Sequence, residues 1–308
     1  MNASSSFSVS APGSLMLMGE HAVLHGHPAL CMAVEPRITI EVTPRKDREI
    51  HIDSSQGTLQ TTLDTLPEEH SLGFVLVCIQ SSSLSHGFEA SIHSELDSTK
   101  GLGTSAAVTV AMTAALQRLE GNPFDPGRIV AQSLETIRKV QGRGSGCDAA
   151  ASTYGGIVRI DPEPFRVEPI HASAPFFMAY AGYKVPTPEV IELVEGYRKK
   201  SPVCFEHVFA AMESCVTETT QAVRLGDWDT VGHLMTRHHY LQGALGTSDA
   251  TLDSLVHTFL SIPHILGAKI SGSGLGDSVL ALGNTSSAST EEHVTPVTVS
   301  EEGVRFED

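Results

Sequence analysis

A run of glycines, a pair of hydroxyls and a lone carboxylate are the residues of this 308-residue chain best suited to chemistry. In Ser98 to Leu116, STKGLGTSAAVTVAMTAAL, Gly101 and Gly103 stand directly before Thr104 and Ser105, and Ala106, Ala107, Val108, Met112, Ala115 and Leu116 follow at helical spacing. Glycine lets a backbone close on a ligand, and the unpaired N–H groups of a first helical turn carry the positive end of the helix dipole. The pattern is that of an anion site. Hydroxyls at Thr104 and Ser105 suit a phosphate oxygen or a magnesium ion, and Lys100 adds a positive charge at the loop's edge. A turn followed by an ordinary capped helix is the competing reading. The order Gly-Lys-Ser/Thr of a Walker A loop is absent, which disfavours a P-loop NTPase.

Asp148 sits in QGRGSGCDAAASTYGG, among glycines and small residues. It is either the N-cap of a short AAAS helix or the acceptor of a hydroxyl proton in phosphoryl transfer, with Arg143 nearby to keep it ionised. Glu20 and His21 close an apolar stretch that ends in Gly19, a placement more typical of a site than of an open face. A second glycine-rich loop, Gly272-Ser273-Gly274-Leu275-Gly276-Asp277, lies between two expected strands. It calls for a tight bend or a close ligand.

The elements that must hold these residues follow from periodicity and punctuation. Strands are expected over Ser6–Ser10, Val34–Val42, Glu49–Asp53 and Phe88–Leu96, with a helix over Ser71–Leu84. The helix that opens near Ser105 ends at Gly121, and Asp125 with Pro126 starts another that stops near Gly142. Beyond Asp161 the spacing predicts a strand over Phe176–Ala181 and helices over Pro188–Lys199, Pro202–Leu225, Asp227–Leu245 and Asp249–Ser261. Strands over Ala268–Ser271 and Ser278–Leu282, a Ser/Thr-rich loop over Asn284–Glu292 and a strand near Val294–Val299 complete the chain.

Composition excludes several classes. A net charge of −16 argues against a nucleic-acid surface, while a small anionic substrate depends only on local charge. With 41% hydrophobic and 18% charged residues, no long apolar run and no signal-like N-terminus, a cytoplasmic globular protein without a membrane partner is expected. The five cysteines are scattered, and the fifteen histidines lack metal-ligand spacing. The length suggests two domains of roughly 150 residues each.

Three glycine-rich motifs in this order, the loop Gly272–Asp277 being the third, resemble the GHMP kinases, over nearly the whole chain. APGSLMLMGEHAVLHGHPA is similar to the first motif of the mevalonate kinases, and GHLMTRHHYLQGALGTSDATLDSL with GAKISGSGLGD looks like the same branch. The resemblance implies an α+β, two-domain fold: a ribosomal protein S5 domain 2-like domain over residues 1–165 and a ferredoxin-like domain over 166–308. It also implies a small-molecule acceptor, with transfer of the ATP γ-phosphoryl group to the 5-hydroxyl of mevalonate, ATP and Mg2+ as cofactors, and a homodimer as an assembly to test. Carried over by position, Lys100, Gly101, Leu102, Gly103, Thr104, Ser105 and Ala106, with Gly272, Ser273, Gly274 and Gly276, hold the nucleotide. Ser105 ligates magnesium and Asp148 is the catalytic carboxylate, supported by Lys100 or Arg143. Ser14, Glu20, His21, Thr187, Gly274 and Asp148 fall on the substrate side.

Three departures accompany the resemblance. Ser14 stands where the motif has lysine, Ile137 stands where a magnesium-binding glutamate is usual, and no arginine follows Lys184-Val185-Pro186. Lys100 before GLGTSAA, the run around Asp148 and Asp277 after the third loop look more like phosphomevalonate kinase. 5-Phosphomevalonate is therefore the alternative acceptor.

Overall fold

The computed structural model describes residues 5–97, 100–284 and 294–307. The strand expected at Ser6–Ser10 runs on through Ala11-Pro12-Gly13 as β1 (Phe7–Met18), almost wholly buried. A short 3-10 turn at Ala22–His25 leads to β2 (Ala29–Pro44), which pairs antiparallel along the length of β1. β3 (Glu49–Ser54) and β4 (Gly57–Thr62) form a hairpin whose second strand has no counterpart among the expected elements. Next come α1 (Gly73–Gln80), shorter at both ends than its apolar stretch suggested, and β5 (Phe88–Ser94). Then follow α2 (Thr104–Leu119), α3 (Pro126–Gln141), α4 (Cys147–Tyr154), β6 (Ile157–Pro162) and β7 (Phe165–Ile170).

β2 organises the first sheet because it is long enough to serve two neighbours on one edge. Residues 38–44 pair with β5 and residues 29–32 with β6, so the sheet forks, with β7 outside β6. The fork leaves room for α4, which packs on β1 and β2 beside α2. α2 is sheathed in Ala106, Ala107, Val110, Ala111, Ala114 and Ala115, all buried, and its small side chains let it lie close to the sheet.

The second half contains β8 (Phe176–Lys184), α5 (Thr187–Lys200), α6 (Pro202–Leu225), α7 (Trp228–Ala244), α8 (Ala250–Ser261), β9 (Ile265–Ser271), β10 (Gly276–Gly283) and β11 (Val294–Val297). The strands make an antiparallel sheet in the order β11-β8-β10-β9. Alternation along β8 divides its side chains: Phe177 and Ala179 pack with Phe259 of α8, while Phe176 and Met178 join a core that runs back to Leu17 and Met32 of the first sheet. The capping aspartates behave as their sequence positions suggest. Asp125, Asp227 and Asp249 accept from the N–H groups of Arg128, Thr230 and Leu252, each cap worth about 1 kcal/mol.

The chain ends where it began. Val299 bridges to Val34, and β12 (Arg305–Phe306) adds an edge strand to β1. The buried guanidinium of Arg37 fastens this return by donating to Ser10 Oγ, Ser300 Oγ and the carbonyls of Glu302 and Gly303. Most of the Ser/Thr-rich loop, from residue 285 onward, lies outside the described residues. Among the described residues no helix is long and apolar enough to cross a membrane.

Candidate active site

A cleft of about 730 Å³ opens where the two sheets meet, walled by the start of α2, the start of α4, the turn after β1, the end of β8 and the loop between β9 and β10. Gly101, Leu102, Gly103, Thr104, Ser105, Ala106, Arg143, Asp148, Glu20, His21, Thr187, Gly272 and Ser273 all line it. Residues chosen from five separate stretches of sequence are thus brought to one place.

The loop before α2 is clamped from both sides. Ser14 N–H of β1 donates to Leu102 O at 3.0 Å, and Ser278 Oγ of β10 donates to Lys100 O at 3.1 Å. Glycine is required here twice. Gly101 has φ +70° and a Cβ there would lie 1.9 Å from Asp277 Oδ1; Gly103 has φ +67° and a Cβ would lie 2.0 Å from Ser14 Oγ. α2 starts on Gly103 without a side-chain cap, and Thr104 Oγ1 is buried without a hydrogen-bond partner. An orphaned hydroxyl beside uncapped N–H groups is an acceptor-seeking surface of the kind phosphate satisfies.

Asp148 is not an N-cap. Gly146 occupies that position, and Asp148 lies in the first turn of α4 with its carboxylate turned into the cleft. Ser14 Oγ donates to Asp148 Oδ1 at 2.8 Å, and Cys31 Sγ lies 3.9 Å from the same oxygen. Burial pushes the Asp148 carboxyl above the ordinary aspartate range, while the Ser14 hydrogen bond and the charge of Lys184 hold it down. Lys184 itself, at the end of β8, lies 3.0 Å from Asp277 Oδ2. Burial likewise raises Asp277, whose Oδ1 has no partner.

On the far wall, Glu20 is held by an inward-pointing lysine that composition alone did not single out. Lys269 of β9 is fully buried and donates to Glu20 Oε1 at 2.5 Å and to the carbonyl of Ile270. Burial pushes the Glu20 carboxyl up and the Lys269 ammonium down, and each opposes the other's shift. Glu20 Oε2 makes no hydrogen bond, with His238 Nε2 3.8 Å away. His238 of α7 accepts the Gly19 N–H at its Nε2, and burial holds its pKa well below the usual histidine range, so it is neutral. His21, at φ 61°, has its Nε2 2.9 Å from Ser273 O, joining the first turn to the third glycine loop. The signal for Lys269 was present: a lysine inside the apolar strand GAKIS has to find a partner.

Several candidates stand elsewhere. Lys100 does not line the cleft; its Nζ lies 3.6 Å from Asp97 on an exposed edge. Gly274 lies against Thr247 and Gly276 against Tyr183, so both shape the third loop from behind its cleft-facing residues, Gly272 and Ser273. Ser14 reaches the site through Asp148, not through the cleft wall. Ile137 lines the cleft as an apolar residue, and Glu135 pairs on the surface with Lys139 at 2.8 Å. Neither supplies a carboxylate for a cation. Among the described residues no three His, Cys, Asp or Glu side chains gather as a metal site.

Comparison with known proteins places this geometry in context. The model of the GHMP kinases N-terminal domain matches residues 70–156, and that of the GHMP kinases C-terminal domain matches 219–293. A galactokinase galactose-binding signature matches residues 1–44. The chain is 30% identical to the mevalonate kinase of Thermococcus onnurineus, over 97% of this chain and 98% of the relative. It is also 30% identical to that of Archaeoglobus fulgidus, over 97% and 99%. The structure of L. major mevalonate kinase in complex with R-mevalonate is similar in fold, with a TM-score of 0.79, 22% identity and 94% of each chain covered.

Proposed function

Because this chain belongs to the GHMP kinase family, we propose that it transfers the γ-phosphoryl group of ATP to the 5-hydroxyl of mevalonate, as a cytoplasmic enzyme. The observation that carries this reading is that one cleft joins a glycine-clamped, uncapped helix start to a buried carboxylate. The change of sheet between β7 and β8 supports two domains divided between Ile170 and Phe176, a few residues beyond the expected boundary at 165/166, with the cleft between them and β12 returning to the first sheet.

In this reading the triphosphate lies along Gly101 to Ser105, where backbone N–H groups and the Thr104 hydroxyl meet its oxygens. Asp148, kept ionised by Ser14 and Lys184, takes the proton of the attacking hydroxyl. Glu20 is held rigid by Lys269 and offers its free Oε2 to an acceptor hydroxyl, and His21 with Thr187 closes the acceptor side. Magnesium, when bound, neutralises phosphate charge. The Ser105 hydroxyl is the oxygen with which this chain would hold it.

ADP release that depends on added mevalonate, and that Asp148→Asn lowers by about 10²–10⁴-fold while the protein stays folded, is the expected result. ADP release indifferent to mevalonate, or an Asp148→Asn enzyme as fast as the parent, contradicts it.

A further inference from the structure

Phosphoryl transfer gathers negative charge between the base and the phosphates, and a site built for it needs a fixed cation there. Ser14 brings a hydroxyl to Asp148 and no charge. Lys100 turns away to Asp97, and Arg143 lines the cleft without being among the groups that act on Asp148. Lys184 differs from both. It lines the cleft from the second sheet, and its Nζ is 3.0 Å from Asp277 Oδ2. Asp277 is only 4% exposed and takes φ +68°. It presses on Gly101, so the carboxylate that holds Lys184 is fixed against the loop expected to carry the phosphates.

We propose that Lys184 is a catalytic residue that contacts the transferring phosphoryl group and supplies the charge Ser14 lacks, with Asp277 as its positioning residue. The proposal rests on the cleft being a phosphoryl-transfer site. An ammonium has three donors, so Lys184 can keep Asp277 and still give a hydrogen bond to a γ-phosphoryl oxygen. As the acceptor oxygen bonds to phosphorus, the bridging P–O bond breaks with its electron pair leaving on ADP, and the hydroxyl proton passes to Asp148. Lys184 balances the charge on the moving group throughout.

The groups facing Asp148 fix the sign of a pH effect. Ser14 and Cys31 face it from the first sheet, Cys147 flanks it on α4, Arg143 shares the cleft, and Lys184 and Asp277 face it from the second sheet. Burial drives Cys31 far up and Cys147 up to about 12, so both thiols are neutral. Removing Lys184 removes a cation that lowers the Asp148 pKa, and the acid limb of kcat/KM must move to higher pH. Removing the charge of Asp277 must move it to lower pH.

The test uses the full chain with Lys184→Met, Lys184→Arg and Asp277→Asn, each checked for folding by thermal melting. For Lys184→Met we expect kcat to fall about 10²–10³-fold with the acceptor KM within about threefold, and the acid limb to shift upward. Lys184→Arg retains most of the rate, and Asp277→Asn lowers kcat while shifting the limb downward. Calorimetry with magnesium and either ADP or a non-hydrolysable ATP analogue should show that Lys184→Met loses preference for the triphosphate. Turnover of Lys184→Met within threefold of the parent, a loss confined to KM, or equal weakening of both nucleotides overturns the proposal. If the parent fails to phosphorylate mevalonate, the acceptor assignment falls, and the nucleotide preference still decides the role of Lys184.

Discussion

At Asp148, the proposed proton acceptor, burial and two neighbours act on one carboxyl in opposite directions. Its carboxyl is raised by burial and held back by the Ser14 hydroxyl and the Lys184 charge. A base must be ionised to act, so activity should fall as pH drops through a value above the ordinary aspartate range; an acid limb at or below that range in a pH–rate profile contradicts the assignment. Gly103 offers a second prediction. An alanine there meets Ser14 Oγ and must hold φ near +67°, so Gly103→Ala should cost about 1–2 kcal/mol and weaken ATP binding more than it weakens acceptor binding, as calorimetry would measure. The Gly-Leu-Gly-Thr-Ser run was legible as a glycine turn before a helix, whereas the lone Asp148 left an N-cap open until Gly146 proved to hold that position. The position of Lys184 was not legible, since its role depends on Asp277, more than ninety residues away, meeting Gly101.

At the scale of elements, the buried Glu20–Lys269 pair ties the turn after β1 to β9. Breaking such a pair leaves one charge stranded, whereas removing both partners removes the stranded charge as well. Lys269→Met should therefore lose about 3–5 kcal/mol in urea unfolding, and Glu20→Gln with Lys269→Met should lose less than that. A double variant as unstable as the sum of the singles contradicts the pairing. His238 adds a pH dependence. Its native pKa is depressed, so the unfolded chain binds the extra proton first. Stability should be full above about pH 6.5 and decline as pH falls, by up to about 1.4 kcal/mol per pH unit from this one group. His238→Gln should flatten that slope, and an unchanged slope assigns the effect to other groups. The helices of the second half lay close to their expected bounds because Asp caps and apolar stripes are local signals. β4 was missed because GTLQTT carries a single apolar anchor, Leu59, whose burial depends on pairing with β3.

Across the whole molecule, two sheets share one buried core, and the chain's last residues return to the first sheet under the buried Arg37. That return could not be read locally: Val34 and Val299 are ordinary valines until the fold brings them together. The same long-range meeting makes the cleft, with the glycine loop before α2 and Asp148 from the first sheet and Lys184, Asp277 and the third glycine loop from the second. Motif order announced the family, and the family's matches on both halves of the chain agree with it. The galactokinase signature over residues 1–44 and the phosphomevalonate kinase-like residues around Asp148 make acceptor choice the sharpest question. The most direct measurement is kcat/KM of the purified protein with Mg-ATP and, separately, mevalonate, 5-phosphomevalonate and galactose, with the mass of each product determined. Our account predicts that mevalonate is preferred and gains one phosphoryl group. Preference for 5-phosphomevalonate or galactose, or silence on mevalonate, would contradict it.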